Sequence, residues 1–216
     1  MTAATQQIAK YLLEIEAVKF NVDNPFTWTS GIKSPIYCDS RIINSRVHVR
    51  DTVISEFSDL IMRIFPEVEI IAGVALGGIS FGALIADRLK LPFIYVREER
   101  KEHGLKKFVE GEEEFRKGAK VILIEDHIST GKSSMKAIKE LREKGLEIIW
   151  LISIMTYRFK EAEELYNKEN VAHTSLCNLD TILEVALQEG RITEQDKEVI
   201  LKFRESPRTW SPNNFA

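Results

Sequence analysis

The chain has 216 residues, 44% of them hydrophobic, and a formal net charge of −3. That length buries a substantial core as one domain with an appendage, or at most two small domains, and the charge balance argues against nucleic acid as partner, for which a basic stripe is expected. Cys38 and Cys177 are too few and too distant for a disulfide framework, no apolar run reaches membrane-spanning length, and residues 1–7 lack the pattern of a signal peptide, so no membrane association and a reducing cytoplasmic location are expected.

Thr5 is placed to cap a first helix in which Ile8, Leu12, Ile15 and Val18 recur at helical spacing. Lys19-Phe20 follows. Residues 24–39 then give two aromatic-rich extended pieces around Ser30-Gly31-Ile32-Lys33-Ser34, which predicts a hairpin with a short polar tip. Residues 45–65 place Val49, Val53, Phe57, Leu60, Ile61 and Ile64 on one helical face and stop before Pro66. Residues 70–75 read as a buried strand, Leu76-Gly77-Gly78-Ile79-Ser80 as the loop after it, and residues 81–90 as a helix. The glycines there miss the spacing of a dinucleotide fold. Another strand is predicted over residues 92–97. Residues 98–118 are dense in charge and without apolar period, as in a solvated loop, and a loop of that length within a compact domain also suits a lid.

Residues 121–134 change character three times. Val121, Ile122, Leu123 and Ile124 form a continuous apolar run suited to a parallel strand buried on both faces, and Glu125 and Asp126 stand where that strand is expected to end. Ser129, Thr130 and Gly131 supply small side chains and a permissive backbone before a good helix former opens at Ser133. First-turn amides without partners, together with the helix dipole, make an anion site there. The carboxylates would repel phosphate and suit hydroxyl groups or a hydrated divalent metal. A ligand carrying both a phosphate and a vicinal diol satisfies both halves, and ribose 5-phosphate is the common molecule of that kind. Gly131-Lys132-Ser133 matches the second half of a nucleotide-binding P-loop, but the first glycine of that motif would fall at Asp126.

Beyond this stretch, residues 132–144 read as a helix ended by Gly145 and residues 148–155 as another buried strand. Arg158 lies just past that strand's C-terminal end, where open α/β sheets place their sites. A short strand over residues 171–176 and helices over residues 179–188 and 193–204 carry no identifiable chemistry, and His48, His127 and His173 form no ligand spacing.

The segment from the apolar strand through the acid pair to Thr130-Gly131 resembles the phosphoribosyl diphosphate (PRPP) signature of type I phosphoribosyltransferases. Thr29-Ser30-Gly31, Lys33-Ser34-Pro35 and Tyr37 are similar to the hairpin of the branch that uses orotate, a carboxylated pyrimidine. The resemblance spans residues 5–175 and implies an open, mostly parallel sheet flanked by helices, with a hood over about residues 1–45, a core over about 46–216 and a lid loop over 98–118.

The same resemblance implies site residues. Glu125 and Asp126 match the ribose-hydroxyl acids, and the PRPP segment continues through His127, Ile128, Ser129, Thr130, Gly131, Lys132 and Ser133. Arg97, Lys101 and His103 match the loop cations for the diphosphate leaving group, with Lys101 and Asp126 as catalytic groups. Glu98 stands where some relatives place a further lysine, and Gly77 where some carry a lysine. Lys19, Tyr37, Cys38, Ser129 and Arg158 match orotate-contacting positions. The implied activity is transfer of phosphoribose from PRPP to orotate, with Mg2+ carried through PRPP and water, by a homodimer in which each lid covers its neighbour's site. A purine phosphoribosyltransferase or a PRPP-sensing regulator of the same fold are the alternatives.

Overall fold

The computed structural model describes residues 2–98, 108–111 and 114–212. Its centre is a six-stranded sheet whose hydrogen-bonded order is β10-β9-β8-β5-β6-β7, built from β5 (Ile70–Val74), β6 (Phe93–Val96), β7 (Val109–Glu110), β8 (Lys120–Ile128), β9 (Glu147–Thr156) and β10 (His173–Asn178). All neighbours are parallel except β6 and β7.

Why β8 lies inside this sheet follows from its side chains, since alternate residues of a strand face opposite ways. Ile122 and Ile124 join one apolar cluster, and Val121 and Leu123 the other. On the first face lie α1 (Ala3–Glu14), α2 (Val47–Ile64), α3 (Gly77–Leu89), α6 (Leu179–Gln188) and α7 (Glu194–Glu205). The second face is covered by α4 (Lys132–Glu143) and α5 (Lys160–Lys168). Buried side chains such as Phe57, Phe81 and Ile138 stabilise each face by about 1.5–3 kcal/mol apiece.

The N-terminal segment differs in detail from the sequence expectation. Thr2, not Thr5, caps α1, its hydroxyl accepting the Thr5 N–H at 3.2 Å, and Val18 has left the helix for β1 (Val18–Phe20). The hairpin is shallow. Its arms β2 (Phe26–Thr27) and β3 (Lys33–Ser34) are two residues each, so Lys33 and Ser34 are strand and not tip. Beyond Pro35 the chain switches partners, and β4 (Ile36–Cys38) pairs with β1, setting Lys19 opposite Tyr37. A 3-10 turn over Ser40–Ser45 leads into α2, whose Ile64 is exposed where a core role was expected.

Three further departures bear on the site. Strand β8 runs through the acid pair to Ile128, because β9 stays paired with it up to Thr156 while β5 leaves after Gly73 opposite Ile124. Glu125 to Ile128 therefore project beyond β5. Helix α3 starts at Gly77, four residues before the expected start, and a Cβ on Gly78 would lie 2.3 Å from Ile124 O. Those glycines allow close approach of helix to strand and do not mark a loop. The expected loop of residues 98–118 contains β7, with Val109 buried against the sheet. Helix α5, which carries Ala162 and Tyr166 inward, was not anticipated.

Candidate active site

Where β8 outruns β5, a cavity of about 380 Å³ opens at the C-terminal end of the strand. Glu125 and Asp126 line it together with the loop of residues 129–133, the α3 entry at Gly77, and an aromatic wall of Trp28, Tyr37 and Tyr157.

Both acids are buried, and their surroundings differ. Burial and the neighbouring Asp126 charge push the Glu125 carboxyl well above its usual range. Burial opposes ionisation of Asp126 too, but the facing His127 ring, the Ser40 hydroxyl and the His127 N–H outweigh it and hold that carboxyl well below the usual range. The distances agree: Ser40 Oγ donates to Asp126 Oδ2 at 2.8 Å, His127 Nδ1 lies 3.1 Å from Oδ2, and the His127 N–H donates to Oδ1 at 2.8 Å. Burial disfavours a charged His127, yet Asp126 prevails and raises its pKa. Burial thus favours the proton on Glu125, whereas the contacts of Asp126 favour its ionised form.

The loop after the acids has a shape that suits an anion. Gly131 has φ +74° and its side opposite the cavity is filled, since a Cβ there would lie 2.9 Å from the Tyr166 ring. Tyr166 OH and Ser134 Oγ are 2.6 Å apart, and Ser134 Oγ also donates to Gly131 O at 3.1 Å, which holds the turn from within. No side chain caps α4, so its first-turn amides keep their donors toward the cavity lined by Lys132 and Ser133.

At the other end Trp28 packs on Tyr157, ring centroids 5.1 Å apart, and on Phe159 and Phe203. Its indole N–H donates to Ile36 O at 3.3 Å. Burial pushes the Tyr157 phenol and the Cys38 thiol upward, so both stay neutral in this wall. Such surfaces accept a planar ring.

The structure gathers Tyr37, Cys38 and residues 125–133 around one space. Lys19 and Arg158 do not line it. The Lys19 ammonium lies 3.5 Å from Glu16, and Arg158 Nη1 lies 3.2 Å from Asp180. Their chain neighbourhoods are nonetheless at the wall, Lys19 opposite Tyr37 and Arg158 next to Tyr157. Arg97 borders a neighbouring cavity with Lys132 and pairs with Glu110 at 3.6 Å. Lys101 and His103 lie outside the described residues.

Sequence reasoning missed four contributors: Trp28, Tyr157, Ser40 and the Asp39–Arg41 pair, whose Arg41 Nε and Nη2 reach the Asp39 carboxylate at 2.7 and 2.8 Å. Trp28 and Tyr157 adjoin singled-out residues and could have been found by that adjacency. Ser40 has no signal of its own, because its partner is 86 residues away.

The family model described as "Phosphoribosyl transferase domain" matches residues 50–186. The chain is 44% identical over 203 residues to the orotate phosphoribosyltransferase of Porphyromonas gingivalis, covering 94% of this chain and 96% of that one. The chain belongs to the orotate phosphoribosyltransferase family. A second member, from Bacteroides thetaiotaomicron, is 46% identical over 202 residues, 94% of each chain. The crystal structure of orotate phosphoribosyltransferase from Aeropyrum pernix superposes with a TM-score of 0.71 at 30% identity, covering 86% of this chain and 99% of that one. Membership of this family accounts for the mostly parallel sheet flanked by helices.

Proposed function

We propose that the chain transfers the phosphoribosyl group of PRPP to orotate, giving orotidine 5'-monophosphate and diphosphate, in pyrimidine nucleotide synthesis. The observation that carries this reading is that the acid pair, the anion cradle and the aromatic wall line one cavity. The 5-phosphate takes the amides and hydroxyls of residues 129–133, the ribose hydroxyls meet Glu125 and Asp126, and orotate lies along Tyr37, Cys38 and Ser129. Lys19 and Arg158, each able to leave a solvent-exposed ion pair of small worth, supply cations for the base.

As the bond from C1' to diphosphate breaks, positive charge develops on the ribose ring and negative charge on the leaving group. The ionised Asp126 faces the first, and Arg97, Lys101 and His103 answer the second. Positioning and electrostatics suffice, and no protein nucleophile is required. Among the described residues no group of three His, Cys, Asp or Glu side chains gathers as a metal site. Asp126, the ionised acid that faces the cavity, would suit a hydrated magnesium ion. When bound, that ion supplies positive charge to the departing diphosphate.

The purified protein with PRPP and magnesium should release diphosphate with orotate and with no other base. Turnover of a purine but not of orotate would overturn the reading. A homodimer with loops shared between sites is part of it. Mixed dimers of Lys101→Ala and Asp126→Asn chains should regain roughly a quarter of parental activity, since about half of randomly paired dimers are mixed and each has one intact site. Cytoplasmic location is proposed on the two free, buried thiols, Cys38 and Cys177.

A further inference from the structure

The 3-10 turn that follows the aromatic wall is tied directly to Asp126. Ser40, which has no exposed surface, donates its hydroxyl to Asp126 Oδ2 at 2.8 Å. The turn that carries it is braced at its N-terminal end. Asp39 accepts the Arg41 N–H at 3.2 Å as well as the Arg41 guanidinium, and the Asp39 N–H donates to Ala17 O at 2.7 Å. On its other side the Asp126 carboxylate abuts Gly77, where a Cβ would lie 2.2 Å from Cγ. A carboxylate offers about four acceptor directions. Ser40, the His127 N–H and the His127 ring occupy or face three of them, so little remains besides the direction into the cavity.

We propose that Ser40 is a positioning residue for the reaction: it fixes the plane of the Asp126 carboxylate and makes the base wall at Cys38, two residues before it, and the ribose acid one rigid unit. This rests on the reading of Asp126 as a ribose-hydroxyl acid. The physical reason is preorganisation. A carboxylate aimed before the ligand arrives needs no rearrangement as charge develops on the ribose ring, whereas one free to rotate loses part of its effect in doing so. The tie also means that a base seated against Cys38 and a ribose seated on Asp126 are held at a fixed separation, as bond formation between them requires.

The test uses Ser40→Ala and, as a variant of nearly unchanged shape with a weak donor, Ser40→Cys, each checked by circular dichroism for a native fold at the assay temperature. Titration calorimetry with ribose 5-phosphate, which needs both acid and cradle, should show affinity weakened about tenfold. Inorganic phosphate, which needs the cradle alone, should bind within about twofold of the parent. The kcat should fall about tenfold with KM for orotate changed by less than threefold. Combined with Asp126→Asn, the Ser40 substitution should cost less than about a further twofold, because its partner is already disabled. Independent, multiplying losses, or equal weakening of phosphate and ribose 5-phosphate, would overturn the role of Ser40 alone. An Asp126→Asn protein of full activity would instead overturn the reading of Asp126 on which this rests.

Discussion

The first residue of α3 and the buried acid of β8 occupy adjoining space: a Cβ on Gly77 would lie 2.2 Å from Asp126 Cγ and 2.3 Å from Oδ2. Gly77→Ala therefore displaces the carboxylate that faces the ribose. Since Gly77 has an ordinary helical backbone, little strain accompanies the change. Turnover should fall at least about tenfold, and the unfolding midpoint should drop with it, because a displaced Asp126 gives up its contacts with Ser40 and His127. Steady-state rates beside a thermal melt check this, and a fully active variant would show that Asp126 tolerates displacement.

Glu125 gives a pH dependence of definite sign. In the unfolded chain its carboxyl loses the proton near the ordinary value of 4.5, whereas burial in the folded protein retains the proton to higher pH. Over that window the folded state binds more protons, so the group makes stability fall as pH rises. Glu125→Gln, which cannot ionise, should raise the unfolding midpoint, with a gain that is small near pH 4.5 and grows toward neutrality. Melts over a pH series decide it. A gain independent of pH would locate the effect elsewhere.

Gly131 and Gly31 form a matched pair. Both have positive φ, +74° and +83°, but a Cβ at 131 would lie 2.9 Å from the Tyr166 ring, whereas one at 31 meets nothing within 4 Å. Gly31→Ala should cost only the backbone penalty of about 1–2 kcal/mol. Gly131→Ala should cost that plus about 1–3 kcal/mol of overpacking, and should raise KM for PRPP as the cradle shifts. Equal losses in denaturant unfolding would mean that Tyr166 yields freely.

Arg158 bears on the choice of base. Arg158→Ala should raise KM for orotate about tenfold or more through loss of a charged hydrogen bond, and leave KM for PRPP within about twofold. The opposite split would assign the arginine to the phosphate or diphosphate side. Uracil, which lacks the carboxylate, should remain a non-substrate of both proteins.

The middle of the sheet was legible because β5, β8 and β9 carry apolar runs without alternation, and Val121 to Ile124 divide between two cores as that pattern demands. The acid pair and the cradle were legible because they are contiguous, so one stretch of chain carries the whole motif. The acids' place inside β8 was not, because strand length depends on how far β9 continues beside it. Gly77 and Gly78 were misread as loop, since their purpose is a contact with β8 about 50 residues away that local propensity does not encode. The Ser40 tie and the pairing of β4 with β1 are likewise products of tertiary packing. Helix α5 has charged residues at most positions and only Ala162 and Tyr166 fully inward, too narrow a stripe to stand out.

The packing of Trp28 against Tyr157, Phe159 and Phe203 gives the protein an optical reporter of its own. Of the three tryptophans, Trp28 borders the cavity, while Trp150 packs against Phe65 and Trp210 against Phe203. A ring arriving at the wall changes the surroundings of one indole and leaves the other two as a constant background. Intrinsic fluorescence can therefore follow occupancy of the base end without a label, and a Trp28→Phe protein supplies the blank against which that signal is read.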